Sequence, residues 1–95
     1  MCQLEHNSPN PFKPGTGQTN IPFNLVTPVR ISISIYNIFG QRLKILADGV
    51  YQPGKHTVSW DGTNNAGEVV SSGVYFYQLD APGIKQIKKC MVVDY

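Results

Sequence analysis

Apolar and polar residues alternate along much of the chain, which is the period of a half-buried β-strand. The most regular segment, 29–37, places four apolar residues on one face and polar residues between them: Val29, Ile31, Ile33 and Ile35. Shorter alternations occur at 19–26, 55–60 and 75–79, and Gly, Pro and Asn clusters separate the segments at intervals of about 8–12 residues. No segment has the 3.6-residue period of an amphipathic helix. The pattern therefore predicts an all-β fold, an immunoglobulin-like antiparallel β-sandwich of about seven strands.

The densest block of turn residues lies between two aromatic strands, from Trp60 to Leu79. Glycines and asparagines reverse the chain between the two strands, and Gly73 marks a second turn before Tyr75. A fully buried aromatic side chain contributes roughly 1.5–3 kcal/mol, so this block is predicted to anchor the core. We expect one core that contains the central apolar residue of each strand: Phe23, Ile33, Trp60 and Tyr75.

The strand that follows 29–37 is predicted at 41–46, after a turn at Gly40, with Leu43 and Ile45 on one face. Asp48–Gly49 and Gln52–Gly54 are then expected to bracket a connection. The phase of the last strand, 85–93, stays open. One face would carry Ile87, Met91 and Val93, and the other Cys90 and Val92.

Residues 1–18 form a Pro-rich N-terminal segment, predicted to be a linker or a docked arm, before a β-sandwich domain at 19–95. Three prolines in this segment, Pro9, Pro11 and Pro14, each remove a backbone donor and exclude a helix or a central strand. Phe12 stands alone among them, and its ring is expected to fill an apolar site on the domain. The prolines make a flexible spacer the competing interpretation.

Composition excludes several function classes. The chain has 95 residues, a net charge of +2 and 15% charged residues, too little positive charge for nucleic-acid binding. No apolar run approaches the roughly 20 residues that span a bilayer. Residues 1–5 lack the basic start of a signal peptide, which predicts a cytosolic chain or a fragment of a longer secreted parent. The two cysteines, Cys2 and Cys90, permit one bridge without implying it.

No nucleophile elbow, P-loop or HExxH motif is present, and the six carboxylates are dispersed, so no enzyme activity and no cofactor are predicted. Oxygen-bearing side chains in the turn after Trp60 are weak calcium candidates: Asp61, Asn65 and Glu68. The favoured interpretation is that they bond to backbone amides of the turn.

Four motifs, in order, resemble the type A C-terminal sorting domains of the bacterial type IX secretion system. They are N-S-P-N-P-F-K-P at 7–14, T-N-I-P-F-N-L at 19–25, I-Y-N-I-F-G-Q at 35–41, and W-D-G-T-N-N-A-G at 60–67 with S-G-V-Y-F-Y at 72–77. The last block also resembles the immunoglobulin-like domain of the flagellar hook-capping protein. The structural motif residues of this resemblance are Pro11, Phe12, Gly40, Trp60, Asp61, Gly73 and Tyr75.

The resemblance implies a sorting and anchoring module, secreted or at the cell surface as part of a longer precursor. Its partners would be secretion machinery or domains of the parent protein, and the last strand would carry the recognition residues: Lys85, Lys88, Lys89, Met91 and Val93. Two alternatives stay open. One is a hook-capping-type domain. The other is a carbohydrate-binding accessory module of a secreted hydrolase, which requires a flat platform from Tyr36, Tyr51 or Phe76.

Overall fold

Two antiparallel sheets pack face to face in the computed structural model, which describes residues 2–14 and 17–93. The strands are β1 (Cys2–Leu4), β2 (Thr19–Leu25), β3 (Val29–Tyr36), β4 (Arg42–Tyr51), β5 (Gly54–Trp60), β6 (Gly73–Ala81) and β7 (Ile84–Val92). One sheet has the order β1-β2-β5 and the other β4-β3-β6-β7. This confirms the predicted all-β sandwich. No helix within 2–14 and 17–93 is long and apolar enough to cross a membrane.

The core lies between the sheets, where the inward residues of the alternating strands meet. Phe23, Ile33, Trp60 and Tyr75 all belong to this one buried cluster. Trp60 is fully buried, and its ring lies edge-on to Tyr75 with 5.6 Å between centroids. Such aromatic pairs add about 0.5–1.5 kcal/mol to the effect of burial itself, so the contact between Trp60 and Tyr75 stabilises the core further.

Strand β4 departs from the prediction because it carries two irregularities. Its pairing with β3 shifts between Ile33 and Ser34 and again between Ile35 and Tyr36. Each shift changes which β4 side chains face the core. Leu43 therefore packs against the core whereas Ile45 is 41% exposed, and the prediction that they share a face is wrong.

The predicted connection at Asp48–Gly49 is also wrong, since both residues lie inside β4 and pair with Ser32 and Ile31. Asp48 accepts a 3.0 Å hydrogen bond from Arg30 on the neighbouring strand. This cross-strand pair and the ladder keep the chain extended as far as Tyr51.

The structure shows which face of strand β7 is buried. Cys90 and Val92 are buried, while Ile87 and Met91 are 55% and 40% exposed on the outer face of the four-stranded sheet. The outer face is therefore more apolar than the usual polar side of an antiparallel sheet.

The Pro-rich segment 7–14 is docked as an arm. Ser8 exchanges backbone hydrogen bonds of 2.9 and 2.8 Å with Asn20, the second residue of β2. Further on, the Phe12 N–H donates to Met91 O and the Val93 N–H donates to Phe12 O. The arm thus joins the two sheets at one end of the sandwich.

Candidate interaction surface

The arm packs against Trp60 and the turn that follows it through two contacts. Phe12 is only 4% exposed, and its ring lies edge-on to Trp60 with 5.5 Å between centroids. Beside it, Pro14 packs so closely on Gly62 that a Cβ at Gly62 would lie 2.5 Å from the Pro14 Cβ. Gly62 also has φ +82°, a region that favours glycine. Two motifs far apart in sequence therefore form one packing unit.

A buried polar cluster holds the start of the arm. The Asn7 amide donates to Thr19 Oγ1 at 2.8 Å and to Cys90 Sγ at 3.2 Å, and the Asn7 N–H donates to the Tyr77 hydroxyl at 2.9 Å. Burial raises the pKa of Tyr77 and of Cys90 to about 12, so both groups stay protonated at neutral pH. Cys90 is a free thiol, and the side chain of Cys2 lies outside the described part of the chain.

The Tyr77 hydroxyl also completes the pairing of β2 around Pro22. Glu5 donates its N–H to Pro22 O at 3.0 Å, but Pro22 has no N–H to return to the Glu5 carbonyl. The Tyr77 hydroxyl donates to that carbonyl at 2.8 Å instead. Sequence reasoning missed the roles of Asn7 and Tyr77, and the position of Pro22 in a regular strand was the available signal.

The five predicted recognition residues, four on β7 and Val93 directly after it, do not share one surface. Lys85, Lys89 and Met91 project from the outer face, whereas Lys88 is half-buried and points to the opposite side of the sheet. Val93 is tied to the arm through its N–H.

The arm divides the free edge of β7 into a covered and an open part. Met91 donates its N–H to Asn10 Oδ1 at 2.8 Å and accepts from the Phe12 N–H at 3.1 Å, so its backbone groups point away from β6. In an antiparallel pair this direction repeats at every second residue, which gives Lys85, Ile87 and Lys89 the same outward orientation. We define the open edge as the outward backbone groups of Lys85, Ile87 and Lys89; between them, the Gln86 side chain accepts a 2.6 Å hydrogen bond from the Leu4 N–H of β1.

The turn after Trp60 is held by internal hydrogen bonds. Asp61 Oδ1 accepts from the Thr63 hydroxyl at 2.6 Å, the Thr63 N–H at 3.1 Å and the Lys44 ammonium at 3.4 Å. The Thr63 hydroxyl, with help from Lys44, holds the pKa of the Asp61 carboxyl below its ordinary value.

The other two calcium candidates have different contacts. Glu68 accepts from the Asn64 amide at 3.3 Å, and the Asn65 N–H donates to the Leu43 carbonyl at 2.9 Å. The turn thus uses Asp61 and Glu68 as acceptors for neighbouring donors.

The remaining motif residues shape two turns and the arm. Gly40 has φ +78° and donates its N–H to Asn37 O, while Asn37 Oδ1 accepts from the Phe39 and Gln41 N–H groups. Gly73 begins β6, and the Tyr75 hydroxyl reaches back to the Ser71 carbonyl at 2.6 Å. Pro11 lies between the two arm residues that bond to β7.

The three aromatic residues considered for a carbohydrate platform are not together. Tyr51 packs on Phe23 and His56 beside the three-stranded sheet, with ring centroids 5.5 and 5.2 Å away. Tyr36 and Phe76 are direct neighbours on β3 and β6, on the outer face of the four-stranded sheet.

Solved structures share this fold. Dimeric latent PorU from Porphyromonas gingivalis matches with a TM-score of 0.75 and 18% identity over 100% of this chain. FlgD from P. aeruginosa matches with a TM-score of 0.58 and 17% identity over 80% of this chain and 61% of that one. PorZ, a surface component of the type IX secretion system of P. gingivalis, matches with a TM-score of 0.57 and 19% identity over 94% of this chain.

The chain spans only 10% of the PorU chain and 11% of the PorZ chain. No curated protein matches the sequence. The family model of the FlgD Ig-like domain matches residues 10–83, which is most of the chain and includes β2 to β6. The chain belongs to the FlgD Ig-like domain family.

Proposed function

We propose that this chain is a non-catalytic sorting and anchoring module of a secreted bacterial protein, which type IX secretion machinery recognises through β7. The family is one of non-catalytic domains, and the motifs that resemble sorting domains extend from the arm to β6. Two of the structural neighbours, PorU and PorZ, come from P. gingivalis, and PorZ is a surface component of the type IX system of that bacterium.

The observation that carries the proposal is the docked arm. Its N-P-F-x-P motif belongs to the sorting pattern, and Phe12 and Pro14 pack on the W-D-G motif of the same pattern. The match to PorU covers 100% of this chain and so includes the arm, and the FlgD Ig-like family model also includes Phe12 and Pro14. The resemblance of this motif to the sorting pattern is the reason for proposing sorting before hook capping.

Strand β7 is the element best placed for recognition by a partner protein. The backbone groups of Lys85, Ile87 and Lys89 point outward at its open edge, where an extended segment of a partner would pair with them by adding a strand. Lys85 and Lys89 border this edge and would contact an acidic receptor surface. The competing interpretation is that these lysines only keep the edge soluble, as lysines on edge strands often do.

The second candidate function is that of a hook-capping immunoglobulin-like domain. The match of the FlgD Ig-like family model over residues 10–83 is the observation that favours it. In that case the secretion machinery would not recognise the chain.

A delivery experiment separates the two. Residues 1–95 are fused to the C-terminus of a periplasm-targeted fluorescent reporter in a host with the type IX machinery, and surface reporter is measured by protease shaving. We expect the intact fusion to reach the surface and a fusion lacking residues 88–95 to stay in the periplasm.

A reporter without the module gives the background, and a Lys55→Glu fusion controls for the loss of one exposed positive charge on the other sheet. Equal delivery with and without residues 88–95 would refute recognition through β7. No delivery of the intact, folded fusion would favour the hook-capping function.

A further inference from the structure

Most of the large apolar side chains that are exposed in the described residues lie on or beside the outer face of the four-stranded sheet. They are Ile38, Phe39, Ile45, Val50, Ile87 and Met91, with exposed fractions from 40% to 80%. An exposed apolar patch of this kind typically marks an interaction site, because monomeric proteins rarely leave one open.

Two of these side chains, Ile38 and Ile87, line a groove. A cavity of about 370 Å³ opens between the Tyr36–Gly40 turn and the side chains of Phe76, Gln78 and Ile87. This volume is near the lower limit of ligand pockets, so it fits one or two side chains of a partner. We call this site the outer groove.

Two polar side chains of the outer groove, Gln78 and Asn37, are already bonded within the chain. The Gln78 amide donates to Asp80 Oδ2 at 2.7 Å, and the Asn37 amide donates to Gln41 Oε1 at 2.8 Å. A sugar needs several free donors and acceptors beside an aromatic face. The outer groove offers mainly apolar surface, which favours an apolar side chain over a glycan.

The charged residues around the outer groove indicate which partner residues would flank that apolar side chain. Tyr36 and Phe76 lie in one cross-strand row that continues to Arg42 on β4 and Lys89 on β7. Both cations are exposed, and neither forms an ion pair with a residue that the structure describes. The carboxylates of this face, Asp48 and Asp80, lie in another row, opposite Ser32.

We propose that the outer groove binds an extended acidic segment of a partner protein, with an apolar residue between two carboxylates. Three interstrand steps of about 4.8 Å place Arg42 and Lys89 about 14 Å apart. Residues i and i+4 of an extended peptide, which share a face, are about 13 Å apart at about 3.3 Å per residue. The motif is therefore acidic-x-apolar-x-acidic, lying across the strands. This proposal does not depend on the sorting function.

Peptide titrations followed by amide chemical shifts test it. The probe is a blocked heptapeptide that reads serine-glutamate-serine-phenylalanine-serine-glutamate-serine. We expect saturable shifts at the amides of Tyr36–Gly40, Phe76 and Ile87. Affinity should fall about tenfold when both glutamates become lysine, because two attractive contacts become repulsive. It should also fall when phenylalanine becomes serine.

Substitutions in the protein provide the decisive comparison. In an Arg42→Glu/Lys89→Glu variant the preference should reverse, so that the lysine peptide binds more tightly than the glutamate peptide. A folding defect would weaken both peptides and would not reverse their order. Lys55→Glu, on β5 of the other sheet, should leave the order and the affinities unchanged.

Four results would overturn the proposal. They are the absence of saturable binding by the acidic peptide, equal affinity for the two charged peptides, an unreversed preference in the double variant, and shifts confined to the open edge. Shifts of the same groove amides by a glucan hexamer, with no effect of the peptide, would identify a carbohydrate surface instead.

Discussion

Removing the Phe12 ring is the sharpest perturbation of the docked arm. Phe12 is 4% exposed, and its ring packs against Trp60. Truncating a buried phenylalanine to alanine costs about 3–5 kcal/mol. A domain has only about 5–15 kcal/mol of net stability, so Phe12→Ala removes a large share of it. We expect the arm to open before the sheets separate, since the sheets keep their own ladders.

Two readouts separate arm opening from global unfolding. Urea unfolding is followed by the fluorescence of Trp60, the only tryptophan in the sequence. Arm opening is followed by maleimide labelling of Cys90, whose thiol bonds to Asn7, in a Cys2→Ser background. Phe12→Ala should lower the urea midpoint, and its Cys90 should be labelled at least a hundredfold faster. Each 1.4 kcal/mol removed from the free energy of arm opening raises the labelling rate tenfold.

Val26→Ala is the matched control, because Val26 is 64% exposed and its truncation should change neither readout. If Phe12→Ala labels at the wild-type rate and unfolds within about 0.5 kcal/mol of wild type, the size expected for a neutral surface change, Phe12 does not hold the arm.

Three further predictions concern Gly62, Tyr77 and Cys90. Gly62→Ala should destabilise the domain by more than 1 kcal/mol in urea unfolding, because φ is +82° and the new Cβ meets Pro14; Pro14→Gly should recover part of the loss, and no recovery would place the strain elsewhere. Tyr77→Phe should cost about 1–3 kcal/mol by leaving the Glu5 carbonyl and the Asn7 N–H without their partner, and an unchanged midpoint would contradict this. Finally, the pKa values of Cys90 and Tyr77 are raised to about 12 from ordinary values of 9.0 and 10.0, so the unfolded chain loses these protons first. Stability from both groups is complete below pH 9.0 and is lost as the pH rises toward about 12, and Cys90→Ala should make the decline shallower, whereas an identical pH dependence would refute the assignment.

The sequence allowed the sandwich to be predicted where alternation was uninterrupted. In β3 the inward positions Ile31, Ile33 and Ile35 are all buried, because an unbroken two-residue period leaves one choice of core face. In β4 the two register shifts break that period, and nothing in the local residue types marks where they occur. An unbroken two-residue period therefore places Ile45 on the face of Leu43, although Ile45 is exposed.

The two phases of β7 could not be separated by sequence because both faces are apolar. The structure places Cys90 and Val92 in the core and leaves Ile87 and Met91 on the outer face. Which phase is buried depends on long-range contacts, above all on the Asn7 amide at Cys90 and on Phe12 beside Val92. Such pairings between residues about 80 positions apart leave no local pattern.

Surface delivery of two Lys89 variants tests whether the secretion machinery recognises the chain through the open edge of β7. The Lys89 N–H points away from β6, so Lys89→Pro removes an outward donor without breaking the ladder to β6. Lys89→Ala removes the same charge and keeps the donor. With the reporter fusion in the type IX host, we predict that Lys89→Pro abolishes surface delivery while Lys89→Ala retains most of it. Wild-type delivery by a folded Lys89→Pro fusion would show that the machinery does not pair with this edge.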